Sequence, residues 1–191
     1  MKTHFVRHSS ELDIDKPTLQ ALWDNDYFGI HYPYDNHNKG LGVDSTSTNP
    51  SDYSGVSKST LQRLKKLGEK GGYVFAVYRG IDGGKIGYVE PGTSIEVFDG
   101  TWGDKNGNVG RIAKLKVLKL TKCKTLSAIK SISLTSVQPR QGTLCHWKKV
   151  GTRVENMVLG KVSKVVGCLT PDLQEVMCME FLRTDRALAL G

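Results

Sequence analysis

Between Tyr73 and Leu120 the chain is written as short apolar segments separated by glycine turns, a pattern that no helical bundle can absorb. Tyr73-Val74-Phe75-Ala76-Val77-Tyr78 reads as a strand, Gly80-Ile81-Asp82-Gly83-Gly84 as a turn, and Lys85-Ile86-Gly87-Tyr88-Val89 as the returning strand. Ser94 to Phe98 alternates, Asp99 to Asn108 carries Gly/Asp/Asn turn chemistry, and Arg111 to Leu120 is a long strand with Lys114 and Lys116 facing away from Leu115 and Val117. The alternation slips at Val117-Leu118, which predicts a bulge there. Strands and glycine turns at this spacing predict a small curled β-barrel or sheet.

Helical patterns lie on both sides of these strands. His4 to His8 is a short first strand, and Pro17 sits where the first turn of a helix accepts it. Leu19, Leu22, Trp23 and Tyr27 follow at helical spacing, so a helix is expected over 17–27. Phe28 to Tyr34 continues as a strand running into an aromatic turn, and 35–55 has no apolar periodicity, which reads as either a mobile segment or a functional lid. Ser57 is the expected N-cap of a second helix, with Val56 stapled onto Leu61 and the end near Gly68; its polar face carries Lys58, Arg63, Lys65 and Lys66. Trp147, Val150, Val154, Met157 and Val158 recur at helical intervals, and Thr170-Pro171-Asp172 opens a last helix. The order predicts an α+β protein: a barrel domain over 1–137 with flanking helices, and a C-terminal helical extension over 138–191 packed on it.

Charge is distributed unevenly. The net charge is +8, and residues 101–150 carry 11 bases against the single acid Asp104, while the rest of the chain is close to neutral. A field confined in this way favours a polyanion, and Lys114, Lys116, Lys119, Lys122 and Lys124 are the expected phosphate contacts. The plainer alternative is a solvated lysine-rich face. Cys123, Cys145, Cys168 and Cys178 lack the paired spacing of a zinc site and read as free thiols. No apolar run reaches membrane-spanning length and Met1 to Ser10 has no apolar core, so a soluble cytoplasmic protein with no membrane partner is expected.

Catalytic signatures are missing. The sequence has no Gly-x-Ser-x-Gly elbow, no phosphate-binding Gly-x4-Gly-Lys-Ser/Thr loop and no His-Glu-x-x-His, and Asn36-His37-Asn38 with His31 and Asp35 has the wrong spacing for a metal nuclease. No enzyme activity, metal or cofactor is therefore expected. Aromatic residues carry more information. Trp23, Tyr27 and Phe28 fall on core positions, whereas Tyr32 and Tyr34 bracket Pro33 in a turn, and Trp102 and Trp147 flank the basic segment. Flat side chains beside lysines suit stacking on an unpaired or flipped base, each such contact contributing about 1–3 kcal/mol.

Several of these phrases, in this order, resemble the EVE-like branch of the PUA-like superfamily, relatives of the YTH and ASCH domains. The resemblance covers roughly residues 3–120. It lies in His4 to His8, the Trp23 helix, Phe28-Gly29-Ile30-His31-Tyr32-Pro33, the strand Gly71 to Tyr78, and the return Lys85-Ile86-Gly87-Tyr88-Val89. Gly71-Gly72 stands where that branch has Gly-Asp, and Tyr32 stands in place of its strand-end Trp. The resemblance implies a pocket for a modified base lined by His31, Tyr32 and Tyr34, with a wall near Trp102, and a part in bacterial defence or RNA modification. Beyond the resembling region, Arg140, Gln141 and Thr143 suit phosphate or base-edge contacts. The expected function is a non-enzymatic reader of DNA or RNA. The second reading is a protein-interaction subunit of a bacterial defence or toxin system, docking through the last helix with Met177, Met179, Phe181 and Leu182.

Overall fold

A computed structural model describes residues 2–8, 14–31, 45–101, 112–139, 143–148 and 150–161. In chain order the elements are strand β1 (Thr3–His8), helix α1 (Lys16–Asp24), strand β2 (Tyr27–Ile30), helix α2 (Gly55–Lys70), strands β3 (Gly72–Tyr78), β4 (Gly84–Val89), β5 (Glu96–Thr101), β6 (Ile112–Lys119) and β7 (Thr121–Leu126), helix α3 (Ala128–Thr135), strand β8 (Leu144–His146) and helix α4 (Gly151–Leu159). A short 3-10 turn at Pro50–Asp52 precedes α2. The protein is α+β.

Two sheets are formed, one of five strands in the order β7-β4-β3-β1-β8 and one of three in the order β2-β6-β5. Among the described residues only β1 and β3 run parallel, which requires the long crossover through α1, β2 and α2; the other described pairs are antiparallel. The expected closed barrel is not found among the described residues. Instead the sheets meet where β6 runs through Leu120 into β7 and where the Gly29 N–H of β2 donates to His8 of β1.

The apolar run of β3 is explained by burial on both faces of the larger sheet. Val6, Val74, Ala76, Tyr78 and Leu144 pack with Leu19, Leu22, Leu61, Leu64 and Leu67 of α1 and α2 and with the inner residues of β6. On the opposite face Phe5, Tyr73, Phe75, Ile86 and Trp147 pack under Val154 and Val158 of α4. Phe5, Phe28 and Phe75 are completely buried, each burial contributing roughly 1.5–3 kcal/mol. Trp147 therefore belongs to the core: it lies against Phe5 and Phe75, and its indole N–H donates to the Val137 carbonyl at 3.1 Å. Beyond residue 137 the chain contributes a strand of the large sheet as well as a helix, because β8 pairs with β1 in the register His4–His146, Phe5–Cys145 and Val6–Leu144.

His8 ties the sheets together. Its Nε2 accepts from the Gly29 N–H of β2 at 3.1 Å, so Nδ1 carries the proton and donates to the Val77 carbonyl at 3.0 Å, while the ring stacks on Tyr78. Complete burial holds its pKa down at about 4, so the imidazole is neutral across the physiological range.

Three local expectations are corrected. Helix α2 starts at Gly55 with Ser54 in the N-cap position; Ser57 is buried inside the helix and Val56 is 69% exposed, so no staple forms. The helix also runs past Gly68 to Lys70. A Cβ at Gly68 would stand 2.3 Å from the Thr93 carbonyl, so glycine is there for close approach, and Gly71, at φ +69°, is the C-cap. No bulge interrupts Val117-Leu118, whose pairing with β2 is regular. Both residues are buried because β6 is covered on both faces at that point, Leu118 lying beside Gly68 of α2. The irregularity lies in β7, where register shifts opposite Gly87 and Lys122 has φ +50°.

Candidate anion-binding cleft

Helix α2 places Arg63, Lys66, Leu67 and Lys70 on one stripe, since residues three, four and seven apart share a face. Leu67 is buried and anchors the stripe, while the three cations stay exposed. Across from them lie Lys2 and His4 at the start of β1 and Cys145 and His146 of β8, brought together by the β1–β8 ladder. These residues, with the cap Gly71, line a cleft of about 580 Å³. Among the described residues no carboxylate lines it, and none of Lys2, Arg63, Lys66 and Lys70 is held in an ion pair. Lys70 lies in the last turn, where the negative end of the helix dipole favours a cation. The dipole itself does not attract an anion here; the side-chain charges do.

Two imidazoles join the cations. The rings of His4 and His146 are 5.7 Å apart, and Nδ1 of His4 is buried with no hydrogen-bond partner among the described residues. Burial, then the neighbouring His146 and Lys2, lowers the His4 pKa to about 4 against an opposing hydrogen bond with the Tyr73 backbone. His146 is also lowered, by desolvation and by Lys2 and Lys148, and Cys145 is raised by burial in spite of Arg63 and Arg7. The lining thus combines three lysines and an arginine with two imidazoles held below their usual range and a thiol held above its own.

The lysines expected to grip phosphates are placed differently. Lys116 is 8% exposed; its ammonium donates to the Ser45 and Lys114 carbonyls and lies over the Tyr53 ring, so it is part of the interior rather than the surface. Lys114 pairs with Asp99 at 2.7 Å, Lys122 stands 3.6 Å from Glu90 and over Tyr88, and Lys124 donates to the Met157 carbonyl at the end of α4. Lys119 is exposed and lies over Tyr27. The five are divided between β6 of the small sheet and β7 of the large one and do not converge. His31 is 3% exposed, which withdraws it from a surface pocket. Tyr32, Tyr34, Trp102, Arg140 and Gln141 lie outside the described residues, as do the last helix and Cys168 and Cys178.

A second polar cluster lies where the sheets approach. Lys85, 5% exposed, donates to Asp26 and to the Trp23 carbonyl and lies 5.0 Å from the Trp23 ring. Burial pushes the Asp26 carboxyl up, but hydrogen bonds from Lys85 and Cys123 and the charges of Lys85 and Lys119 bring it below its usual range. Cys123 is raised to about 12 by burial and by Asp26, so its thiol is not a nucleophile. The cluster's charges satisfy one another and it serves packing.

Comparison with family models, curated proteins and solved structures finds no match to this chain. The site's meaning therefore rests on its own chemistry. Sequence reading had one signal for the cleft, the basic face of α2 at Lys58, Arg63, Lys65 and Lys66. Lys2 and the two histidines gave none, because only the fold brings residues 2–4 and 145–146 to that helix.

Proposed function

We propose that this protein binds nucleic acid through its phosphates, with the α2 cleft as the point of contact. The observation that carries the reading is the convergence of Lys2, Arg63, Lys66 and Lys70 on a concave site with no lining carboxylate among the described residues. Cations so arranged, outside any ion pair, contribute to anion binding without first breaking an existing contact. The cleft's volume falls within the range of sites that hold a small ligand or one segment of a larger one. The resemblance of residues 3–120 to the EVE-like branch of PUA-like proteins supports the same class of partner, and exposed Lys119 adds positive field on the smaller sheet. No described helix is long and apolar enough to cross a membrane.

The test is fluorescence anisotropy with single- and double-stranded DNA and RNA at several salt concentrations. For about three phosphate contacts, log K falls with log salt at a slope near −2 on a single strand. The Arg63→Ala/Lys66→Ala pair is expected to weaken binding at least tenfold and to flatten that slope by about 1.4. Binding unchanged in this variant would remove the cleft from the interface.

A further inference from the structure

The cleft concentrates its charge rather than extending it. Arg63 and Lys70 are seven residues apart on α2, about 10 Å along the axis, and Lys2 faces them from β1. A track for a running backbone needs cations spread along a groove, each meeting a phosphate of roughly one negative charge. Here four cations share one cavity of about 580 Å³. A single diester placed in it leaves most of that charge uncompensated, whereas a phosphomonoester carries about −1.5 to −2 at pH 7 and three acceptor oxygens.

The imidazoles point the same way. His4 and His146 both line the cleft, with their rings 5.7 Å apart. His4 and His146 are faced by Lys2, by Arg63, Lys66 and Lys70 of α2, by Cys145 and Lys148 around β8, and by the Tyr73 backbone. No carboxylate is among these groups, and burial first, then the neighbouring positive groups, lower both rings. A dianion offsets the field of these groups about twice as strongly as a monoanion, and a neutral imidazole already carries one ring N–H able to donate to it.

We infer that the cleft takes a phosphomonoester at the end of a nucleic-acid strand in preference to the internal diesters of that strand. This rests on the nucleic-acid reading above and adds the chemical class of the recognised group. Strand ends of either polarity share this chemistry, so both belong in the experiment.

The experiment uses the full chain and fluorescein-labelled single strands of one sequence bearing a 5′-phosphate, a 3′-phosphate or hydroxyls at both ends, with the label on the end opposite the phosphate. One phosphorylated end is expected to bind at least tenfold more tightly than the hydroxyl-ended strand. That preference is expected to fall below twofold in Arg63→Gln/Lys66→Gln, a variant whose substituted positions are exposed and leave the core intact. Equal binding of all three strands, with the salt slope retained, overturns the end preference and leaves the nucleic-acid reading standing. No binding by any strand overturns both. A preference that survives in the variant places the phosphate elsewhere, and a free nucleoside monophosphate binding as tightly as the phosphorylated strand replaces the strand end with a mononucleotide ligand.

Discussion

Lys114, Lys116, Lys122 and Lys124 belong to the most basic stretch of the chain, yet each is engaged by a carboxylate or a carbonyl of the fold. Lys2, Arg63, Lys66 and Lys70 lie outside that stretch, three of them on α2, whose 16 residues carry five bases and one acid, and they stand together around one cleft. The difference separates density of charge along the sequence from charge available in space. A lysine in a strand is neighbour to whatever the next strand and the following helix present, and on β6 and β7 these are Asp99, Glu90 and the carbonyl end of α4. The cations on α2 face β1 and β8, which present lysine and histidine.

Charge reversal is the strongest way to break this comparison. Arg63→Glu/Lys66→Glu is expected to lower nucleic-acid affinity by two to three orders of magnitude, about 3–4 kcal/mol, at low salt. Lys122→Glu/Lys124→Glu, with the same change in net charge, is expected to lower it less than tenfold by anisotropy; equal losses would return the interface to the general field of the protein. The histidines give the next largest effect, on stability. The folded pKa of His8 lies at about 4, below the unfolded 6.5, so the unfolded chain binds more protons between these values. The contribution is complete above pH 6.5 and is lost as pH falls toward 4, amounting to on the order of 3 kcal/mol. Urea midpoints at pH 7 and 4.5 are expected to show this loss together with a comparable share from His4, whose pKa is lowered to the same value, so His4→Gln is expected to remove about half of the combined loss and His8 to account for the rest.

Lys116→Ala is expected to cost about 2 kcal/mol of unfolding free energy, because two carbonyls lose their donor and Tyr53 loses its cation. Affinity of the folded variant is expected to stay within twofold of wild type, which marks Lys116 as structural. Lys114→Ala is the smallest change. Its partner Asp99 is well exposed, so the ion pair contributes about 0.5 kcal/mol or less, and thermal denaturation is expected to move by no more than a few degrees.

The strands and helices with one clear apolar pattern were legible. Tyr73 to Tyr78 and Lys85 to Val89 are β3 and β4 because an apolar run bounded by glycines has few other uses, and Leu61, Leu64 and Leu67 are the buried stripe of α2. Boundaries failed where residues had two uses. Ser54 and Ser57 both suit an N-cap, and Gly68 reads as a terminator until the Thr93 carbonyl is seen against it. Lys116 looked outward by alternation, but alternation names a face and not what covers it; the covering segment at Ser45 and Tyr53 comes from a part of the sequence without periodicity. The cleft was the least legible feature, because only its α2 stripe shares a pattern and the stripe meets Lys2, His4, Cys145 and His146 only through strand pairing across most of the chain.

That pairing has a consequence for when the site comes into being. His4 leaves the ribosome 142 residues ahead of its ladder partner His146. Synthesis proceeds from the N-terminus and long loops are costly to close, so β8 is added to a sheet whose other strands have already been made. A chain halted before Leu144 carries the basic stripe of α2 and the first half of the lining without the strand that closes it. The cleft is thus complete only once β8 has joined the sheet.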